Sequence, residues 1–392
     1  MALTEVLVLK FGGAAFAAPG AHRQIATYVA DRLRTGGAAG ADGTYRGQAV
    51  VVVSAVAGET DRLAATMRAV SPDPDRELLA AALMAGETVN VAVMTAALRD
   101  AGLTALPLGP ADTGLLGAGE PHSAELRAID PSAIVAHLAG QPAGTVLVLP
   151  GGQALDATGR PVMLGRNSSD LSAIAAAIAL ASSACEIFSD SPGICTADPR
   201  LVPAARTLGT VDYDTMITMS RHGAKVLHHS AVDWARRHHV EIRCRSLLPE
   251  GHIHSVVSAS TTTDPAVLVH TTGAVWTGAT PLVHALFTEL TALGADVVLV
   301  ASTVDVGPSG SDVSAAGDDR SYLVLADAVR DLRARGLHPL PDLRLVTTLF
   351  PDGRLDHQVV AAAQAAAVAR AQHEAVSRPT PRATGAAPIP AR

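Results

Sequence analysis

The sequence predicts an α/β protein: a mainly parallel sheet between two helical layers, followed by a smaller α+β unit of ferredoxin-like order. Three observations predict it. Uninterrupted β-branched and leucine runs at Val6–Leu9, Ala49–Val53 and Val146–Leu149 read as strands buried on both faces. Helical stretches separate them through glycine-marked links, the alternation that builds a parallel sheet covered on both sides. Beyond residue 265 the rhythm changes to β-α-β-β-α-β.

In chain order, Val6–Leu9 is the first strand and runs through Lys10-Phe11-Gly12-Gly13 into a helix over Ala21–Leu33. The glycine- and alanine-rich loop Gly36–Gly47 leads to the strand Ala49–Val53, a helix over Glu77–Leu98 and a short strand over Leu103–Leu108. Val146–Leu149 precedes Gly151-Gly152, and the alanine-rich Leu171–Ser183 has helical spacing. Composition shifts near Pro249-Glu250-Gly251, and the polar Ser258–Asp264 reads as a linker. The second unit then reads as strand 266–270, helix 281–293, strands 296–301 and 321–326, helix 328–335 and strand 343–349, with an alanine-rich helix over about 357–372. The predicted organisation is a domain over 1–255, a second over 265–352, a helix over 356–373 and a proline-rich, disordered tail over 377–392.

Composition narrows the function classes. A chain of 392 residues that is 48% apolar can bury one or two cores. The formal charge of -7, without any basic run, leaves no electrostatic footprint for nucleic acid or anionic lipid. Cys185, Cys195 and Cys244 form no C-x-x-C pair, so neither a disulfide framework nor a cysteine-based zinc site is expected, and the chain reads as reduced and cytoplasmic. The longest apolar run, Leu171–Ile187, is interrupted by Ser172, Ser182, Ser183 and Glu186 and is short for a bilayer span, so no membrane segment is expected.

Only two of the 30 basic side chains are lysines, Lys10 and Lys225. A coding bias toward arginine explains the depletion. A lysine that survives it marks a place where a compact ammonium does what a planar guanidinium cannot, or it survives by chance. Lys10 directly precedes two glycines at a strand end, where α/β folds bind ligands and free backbone N–H groups receive phosphate. The Rossmann and Walker glycine patterns are both absent.

Three more segments concentrate chemistry. Leu164-Gly165-Arg166-Asn167-Ser168-Ser169-Asp170 sets an arginine, hydroxyls and a carboxylate on a turn before an apolar helix; Asp170 is equally placed to cap that helix. Phe188-Ser189-Asp190-Ser191-Pro192-Gly193 continues through Cys195 to Asp198-Pro199-Arg200, where Asp198-Pro199 suits a turn and Arg200 a surface salt bridge. Ser220-Arg221-His222-Gly223-Ala224-Lys225 holds the other lysine. The pairs His228-His229 and His238-His239 point in different directions on a helix and lack carboxylate company, so they are read as non-ligands and no protein metal site is expected.

Together with Ser54-Ala55-Val56-Ala57-Gly58-Glu59-Thr60 and Gly86-Glu87, read as a helix start, these segments resemble the aspartokinase branch of the amino acid kinase family over residues 5 to 255. The resemblance implies an amino acid kinase-like three-layer sandwich followed by an ACT-type ferredoxin-like domain. It implies transfer of the γ-phosphoryl of ATP, with Mg2+, to the side-chain carboxylate of aspartate or a close amino acid analogue. By resemblance, Lys10 balances charge at the moving phosphoryl, Lys225 holds nucleotide phosphates and Asp170 orients the ammoniums. Arg166 grips the substrate α-carboxylate, Glu87 takes its ammonium, and Thr60 and Ser169 add hydroxyl contacts. Gly12 and Gly13 admit the phosphates, while Ser189, Asp190 and Arg200 lie on the nucleotide side. Glu87 is also placed to cap its helix. The expected partners are the small amino acid, ATP and a second copy of the chain in a homodimer.

The sequence departs from the family pattern where hydroxyls or glycines are usual: Ala14-Ala15, Val162-Met163 and Asn167-Ser168, with Cys195 in place of a tyrosine. Two explanations stand: an active kinase with a related acceptor, or an impaired copy serving as a regulatory or ligand-binding subunit. The second unit reads as a single ACT-like module whose loop Val306–Arg320 is rich in glycine, serine and aspartate where an effector site is expected, so feedback inhibition by lysine or threonine is not expected and its plainer role is dimerisation.

Overall fold

The computed structural model describes residues 6–35, 45–165, 168–191, 193–246, 252–292, 297–300, 320–325 and 332–377. They divide into two compact units, 1–194 with 207–220 and 225–262, and 195–206 with 221–224 and 263–392.

The first unit begins with β1 (Val6–Phe11), α1 (Ala21–Thr35), β2 (Gln48–Val53), α2 (Glu59–Val70), α3 (Arg76–Asp100) and β3 (Thr104–Pro107). It continues through β4 (Leu115–Ala118), β5 (Glu125–Ile129), α4 (Pro131–Leu138), β6 (Thr145–Pro150), β7 (Gln153–Leu155), β8 (Pro161–Met163), α5 (Ser169–Ala179) and β9 (Ala184–Ser189). It closes with β10 (Thr210–Asp212), α6 (Tyr213–Arg221), α7 (His229–His238), β11 (Glu241–Ser246) and β12 (Ile253–Ser258). The eight-stranded sheet has the order β10-β12-β11-β9-β1-β2-β6-β3. All its neighbours are parallel except the β11–β12 pair.

Every residue of β2 and of β6 is buried, as their unbroken apolar runs require of strands covered on both faces. Leu9, Phe11, Val51, Val53, Val148 and Phe188 pack under Ile25, Val29 and Leu33 of α1 and Val91, Met94 and Leu98 of α3. On the other face α5 lies against β1, β2 and β9 and is flanked by α4 and α7. This is the expected three-layer sandwich. The small sheet β5-β4-β7-β8, absent from the sequence-based expectation, is added beside it.

Among the described residues α3 alone is long and apolar enough to cross a bilayer; Ala80, Met84, Val91, Met94 and Leu98 bury one side of it. Gly86-Glu87 lies in the middle of this helix rather than at its start, because Asp75 supplies the N-cap eleven residues earlier by accepting from the N–H groups of Glu77 and Leu78.

The second unit holds β13 (Ala266–Val269), β14 (Ala274–Ala279), α8 (Thr280–Ala292), β15 (Val297–Val300), β16 (Arg320–Leu325), β17 (His338–Pro339), β18 (Leu343–Leu349), β19 (Leu355–Ala361) and α9 (Ala365–Ser377). Its ferredoxin-like sheet has the order β15-β16-β14-β17, with the first strand of each half in the centre. That frame is shifted from the expected one. The predicted outer strands, 266–270 and 343–349, pair with each other and with β19 in a separate three-stranded sheet. The expected helix over 356–373 is likewise corrected: 355–361 is strand and the helix starts at Ala365. Phe350-Pro351-Asp352-Gly353-Arg354 is the cause, a hairpin turn with Gly353 at φ 82° and Phe350 N–H bonded to Arg354 O. It folds the alanine-rich segment back along β18. Of the expected helix 328–335, the described part is a 3-10 turn over Leu332–Arg335. The tail and the 306–319 loop fall outside the described residues.

The chain from Cys195 to Arg206 and from Arg221 to Ala224 also belongs to this unit, although the sequence reading assigned it to the first. Val267 N–H bonds to Thr196 O, Thr196 Oγ1 lies 2.8 Å from His373 Nε2, and Ala197 and Val202 join the core of β13, β18, β19 and α9.

Candidate active site

Strands β9, β1, β2 and β6 are neighbours, run parallel and end in step: Phe11 is level with Phe188 and with Val53, and Val53 with Pro150. The residues that follow, Gly12, Ser54, Gly151 and Ser189, therefore line one carboxyl edge of the sheet, where this architecture binds ligands. Parallel strands cannot fill that edge with tight hairpins, so their connecting backbone leaves N–H groups and side chains available.

Lys10, 9% exposed, reaches from β1 toward α5, and its Nζ lies 2.7 Å from Asp170 Oδ1. Asp170 sits in the first turn of α5 but does not cap it; the N-cap is Ser168, which makes no side-chain cap bond. The carboxylate is committed to the ammonium. At that separation the two form a buried, charge-assisted ion pair.

The glycines explain themselves by what a side chain would meet. A Cβ on Gly12 would stand 3.2 Å from Lys10 Nζ, and one on Gly13 would stand 2.6 Å from Ala55 O. A Cβ on Gly151 would come 2.4 Å from Ser169 Cβ. These positions let the β1 turn, the β2 turn and the start of α5 approach one another. Ser54 Oγ is 2.8 Å from Ser169 Oγ, and Ala57 N–H bonds to Gly13 O, which ties the three segments together.

Glu87, half-buried on α3, accepts the Ala55 N–H through Oε1 at 3.1 Å. Burial pushes its carboxyl above the ordinary range, against the pull of that backbone donor. Asn90, one turn further along α3, donates to Ser54 O at 2.7 Å. Asn90 and Ser54 were not singled out from sequence as functional, although an amide inside an otherwise apolar helical run is the signal that finds such a residue.

The structure thus brings Lys10, Gly12, Gly13, Asp170, Ser169 and Glu87 to one edge, with Ser189 and the exposed Asp190 at the end of β9. Thr60, in the first turn of α2, and Lys225, exposed in the α6–α7 connection, have no hydrogen bond or ion pair with described residues. Arg200 lies in the second unit and grips Asp198 at 2.9 Å. Arg166 falls outside the described residues. No cluster of three His, Cys, Asp or Glu side chains occurs among the described residues.

A three-layer sandwich with a lysine–aspartate pair and a glycine turn at the carboxyl edge of its central strands defines a class of anion-handling α/β proteins. Residues 5–246 match the profile of the amino acid kinase family, and the chain belongs to that family. It is similar to the aspartokinase of Mycolicibacterium smegmatis, 34% identical over 242 residues that cover 62% of this chain and 54% of that protein. It is 33% identical over 246 residues to the aspartokinase of Pseudomonas aeruginosa, covering 63% and 57% respectively. The chain spans about half the length of these curated relatives. In fold it is similar to E. coli aspartokinase III in complex with aspartate and ADP, with a TM-score of 0.65, 19% identity and coverage of 88% and 87% of the two chains.

Proposed function

We propose that this protein transfers the γ-phosphoryl group of ATP to the side-chain carboxylate of aspartate, or of a close amino acid analogue, releasing ADP and an acyl phosphate. The observation that carries the reading is the Lys10–Asp170 pair beside Gly12 and Gly13, in a chain 34% identical over 242 residues to a protein named aspartokinase. Two anions must meet in this reaction, so catalysis is positioning plus charge neutralisation. Lys10 supplies a compact positive charge at the phosphoryl group, and Asp170 holds that ammonium in place. Gly12 keeps the approach to the Lys10 ammonium clear, since a Cβ there would stand 3.2 Å from its Nζ, and Gly13 lets the turn close on the Ala55 backbone beside it. With its Oε1 engaged by Ala55 N–H, Glu87 keeps Oε2 for the acceptor's ammonium. Ser169 and Thr60 add hydroxyls, Ser189, Asp190 and Lys225 serve the nucleotide side, and Arg166 takes the α-carboxylate bidentately.

Magnesium would ride on the polyphosphate and screen its charge, a role that needs only one or two protein carboxylates and no dedicated cage; Asp190 would supply one. The reading includes a cytoplasmic homodimer joined through sheet edges of the ACT-like second unit, to be checked by sedimentation equilibrium.

A coupled ADP-release assay with hydroxylamine trapping tests the activity. The expected result is a hydroxamate formed from aspartate or a close analogue, dependent on ATP and Mg2+. No hydroxamate from any of these acceptors overturns it, and nucleotide binding without turnover, unchanged by Lys10→Ala, would assign the chain to a non-catalytic regulatory role.

A further inference from the structure

Glu87 and Asn90 act on one and the same peptide group. Asn90 Nδ2 donates to Ser54 O at 2.7 Å, and Glu87 Oε1 accepts from Ala55 N–H at 3.1 Å. The C=O and N–H of a planar peptide point in opposite directions, so two side chains one helical turn apart grasp the group from both ends and fix its rotation. The remainder of Ser54 is equally constrained: its N–H bonds to Phe11 O at 3.2 Å and its hydroxyl to Ser169 Oγ at 2.8 Å.

Asn90 is 2% exposed, and its amide has one workable orientation. His22 Nε2 lies 2.7 Å from Asn90 Oδ1. Exchanging the amide atoms would set Oδ1 against Ser54 O, two acceptors in contact, so Nδ2 faces Ser54 and His22 donates from Nε2. His22 is itself stacked on Phe16 with ring centroids 4.8 Å apart. A chain of contacts thus runs from α1 through α3 to the peptide that holds Glu87 and to the Ser54–Ser169 hydroxyl pair beside Asp170.

We propose that Asn90, oriented by His22, is a positioning residue for acceptor binding: it locks the Ser54–Ala55 peptide so that the Ala55 N–H holds the Glu87 carboxylate toward the substrate ammonium. This rests on the amino acid kinase reading of Glu87. Without the Asn90 donor, the part-buried Ser54 O loses its side-chain partner, and the peptide turns to find another. Glu87 then loses its backbone donor and, being buried, favours the neutral form that no longer attracts an ammonium. The nucleotide side, built on Lys10, Gly12 and Gly13, is left in place.

Steady-state kinetics of Asn90→Ala, alone and combined with Glu87→Ala, test this. The expected result is a rise of about tenfold in KM for the amino acid acceptor, with KM for ATP within about twofold and no further rise when Glu87 is already alanine. His22→Ala, which leaves Asn90 in place, is expected to shift the acceptor KM in the same direction by about threefold and covers the case in which Asn90→Ala does not fold. Equal rises in both KM values, or a full additional effect in the Glu87→Ala background, overturn the proposal. If the wild-type chain phosphorylates no amino acid, the functional reading has failed on its own assay. Hydrogen exchange of the Ala55 amide then decides the positional part: faster by about tenfold in the His22 and Asn90 variants under the proposal, unchanged if it is wrong.

Discussion

Strands β1 and β9 carry a buried ion group on each face, and the two groups are built in opposite ways. Leu9 is level with Glu186 and Lys10 with Ile187, so Glu186 points to the α1 side while Lys10 points to the α5 side. Glu186 is saturated: Arg32 holds both its oxygens at 2.8 and 3.0 Å, Arg245 Nε stands at 2.7 Å and Arg243 at 3.9 Å. Burial pushes its carboxyl up, but the Arg32 and Arg245 guanidiniums outweigh burial and hold it below the usual carboxylate range. The stacked rings of Phe11 and Phe188, 4.5 Å apart, close that side, with Arg245 over Phe188. Lys10 and Asp170 form a single pair at the glycine-lined edge. Planar forks that satisfy every lone pair make a structural joint; one compact ammonium beside a gap keeps charge available for a ligand.

That contrast can be broken by experiment. Lys10→Met is expected to lower kcat by about 10²–10³-fold, as removal of one preorganised charge at a reacting group does. Adding Asp170→Asn should restore stability by relieving the unpaired carboxylate while leaving kcat low; recovery of turnover in the double variant would refute the assignment. Glu186→Gln should do the reverse. Removing the charge of this buried carboxylate from its half-buried guanidiniums is expected to cost about 3 kcal/mol in chemical denaturation, with kcat per folded molecule unchanged.

The carboxylates of Glu186 and Glu87 also differ in pH response. Glu186 has a depressed folded value, so its stabilisation is complete above the unfolded carboxylate range and is lost as pH falls through the folded value. Acid unfolding of Glu186→Gln should lack that component. Glu87 is raised by burial and binds an ammonium only when ionised, so the acceptor KM should climb with falling pH already above the ordinary carboxylate range. Glu87→Gln is expected to flatten that limb, and a limb that persists in this variant belongs to another group. The smallest effect is expected for Gly12→Ala, whose Cβ would sit 3.2 Å from Lys10 Nζ. KM for ATP should rise by about threefold as the ammonium shifts by tenths of an ångström, measured against an unchanged acceptor KM.

Legibility from sequence followed the range of the physics involved. The buried strands of the first unit, and Lys10 with its glycines, stand out because burial on both faces and phosphate access constrain residue type locally. Glu87 was found by resemblance; the helix read over Glu77–Leu98 already held it in mid-helix, and Asp75 as the N-cap of α3 overrules the reading of Gly86-Glu87 as a helix start. In the second unit the helix α8 and strands β13, β15, β16 and β18 match their expected positions, while β14 and β19 were missed. An alanine-rich segment suits either state, and strand pairing settled it.

By itself the sequence determined where strands buried on both faces must form and which ammonium stands beside a glycine turn, because burial and backbone access act on neighbouring residues. Only the tertiary structure decided that Asp170 serves Lys10 instead of its own helix, that Asn90 and Glu87 hold one peptide, and that Glu186 joins three arginines. Those choices depend on groups tens to more than a hundred residues apart meeting in a medium where an unpaired charge or carbonyl is costly.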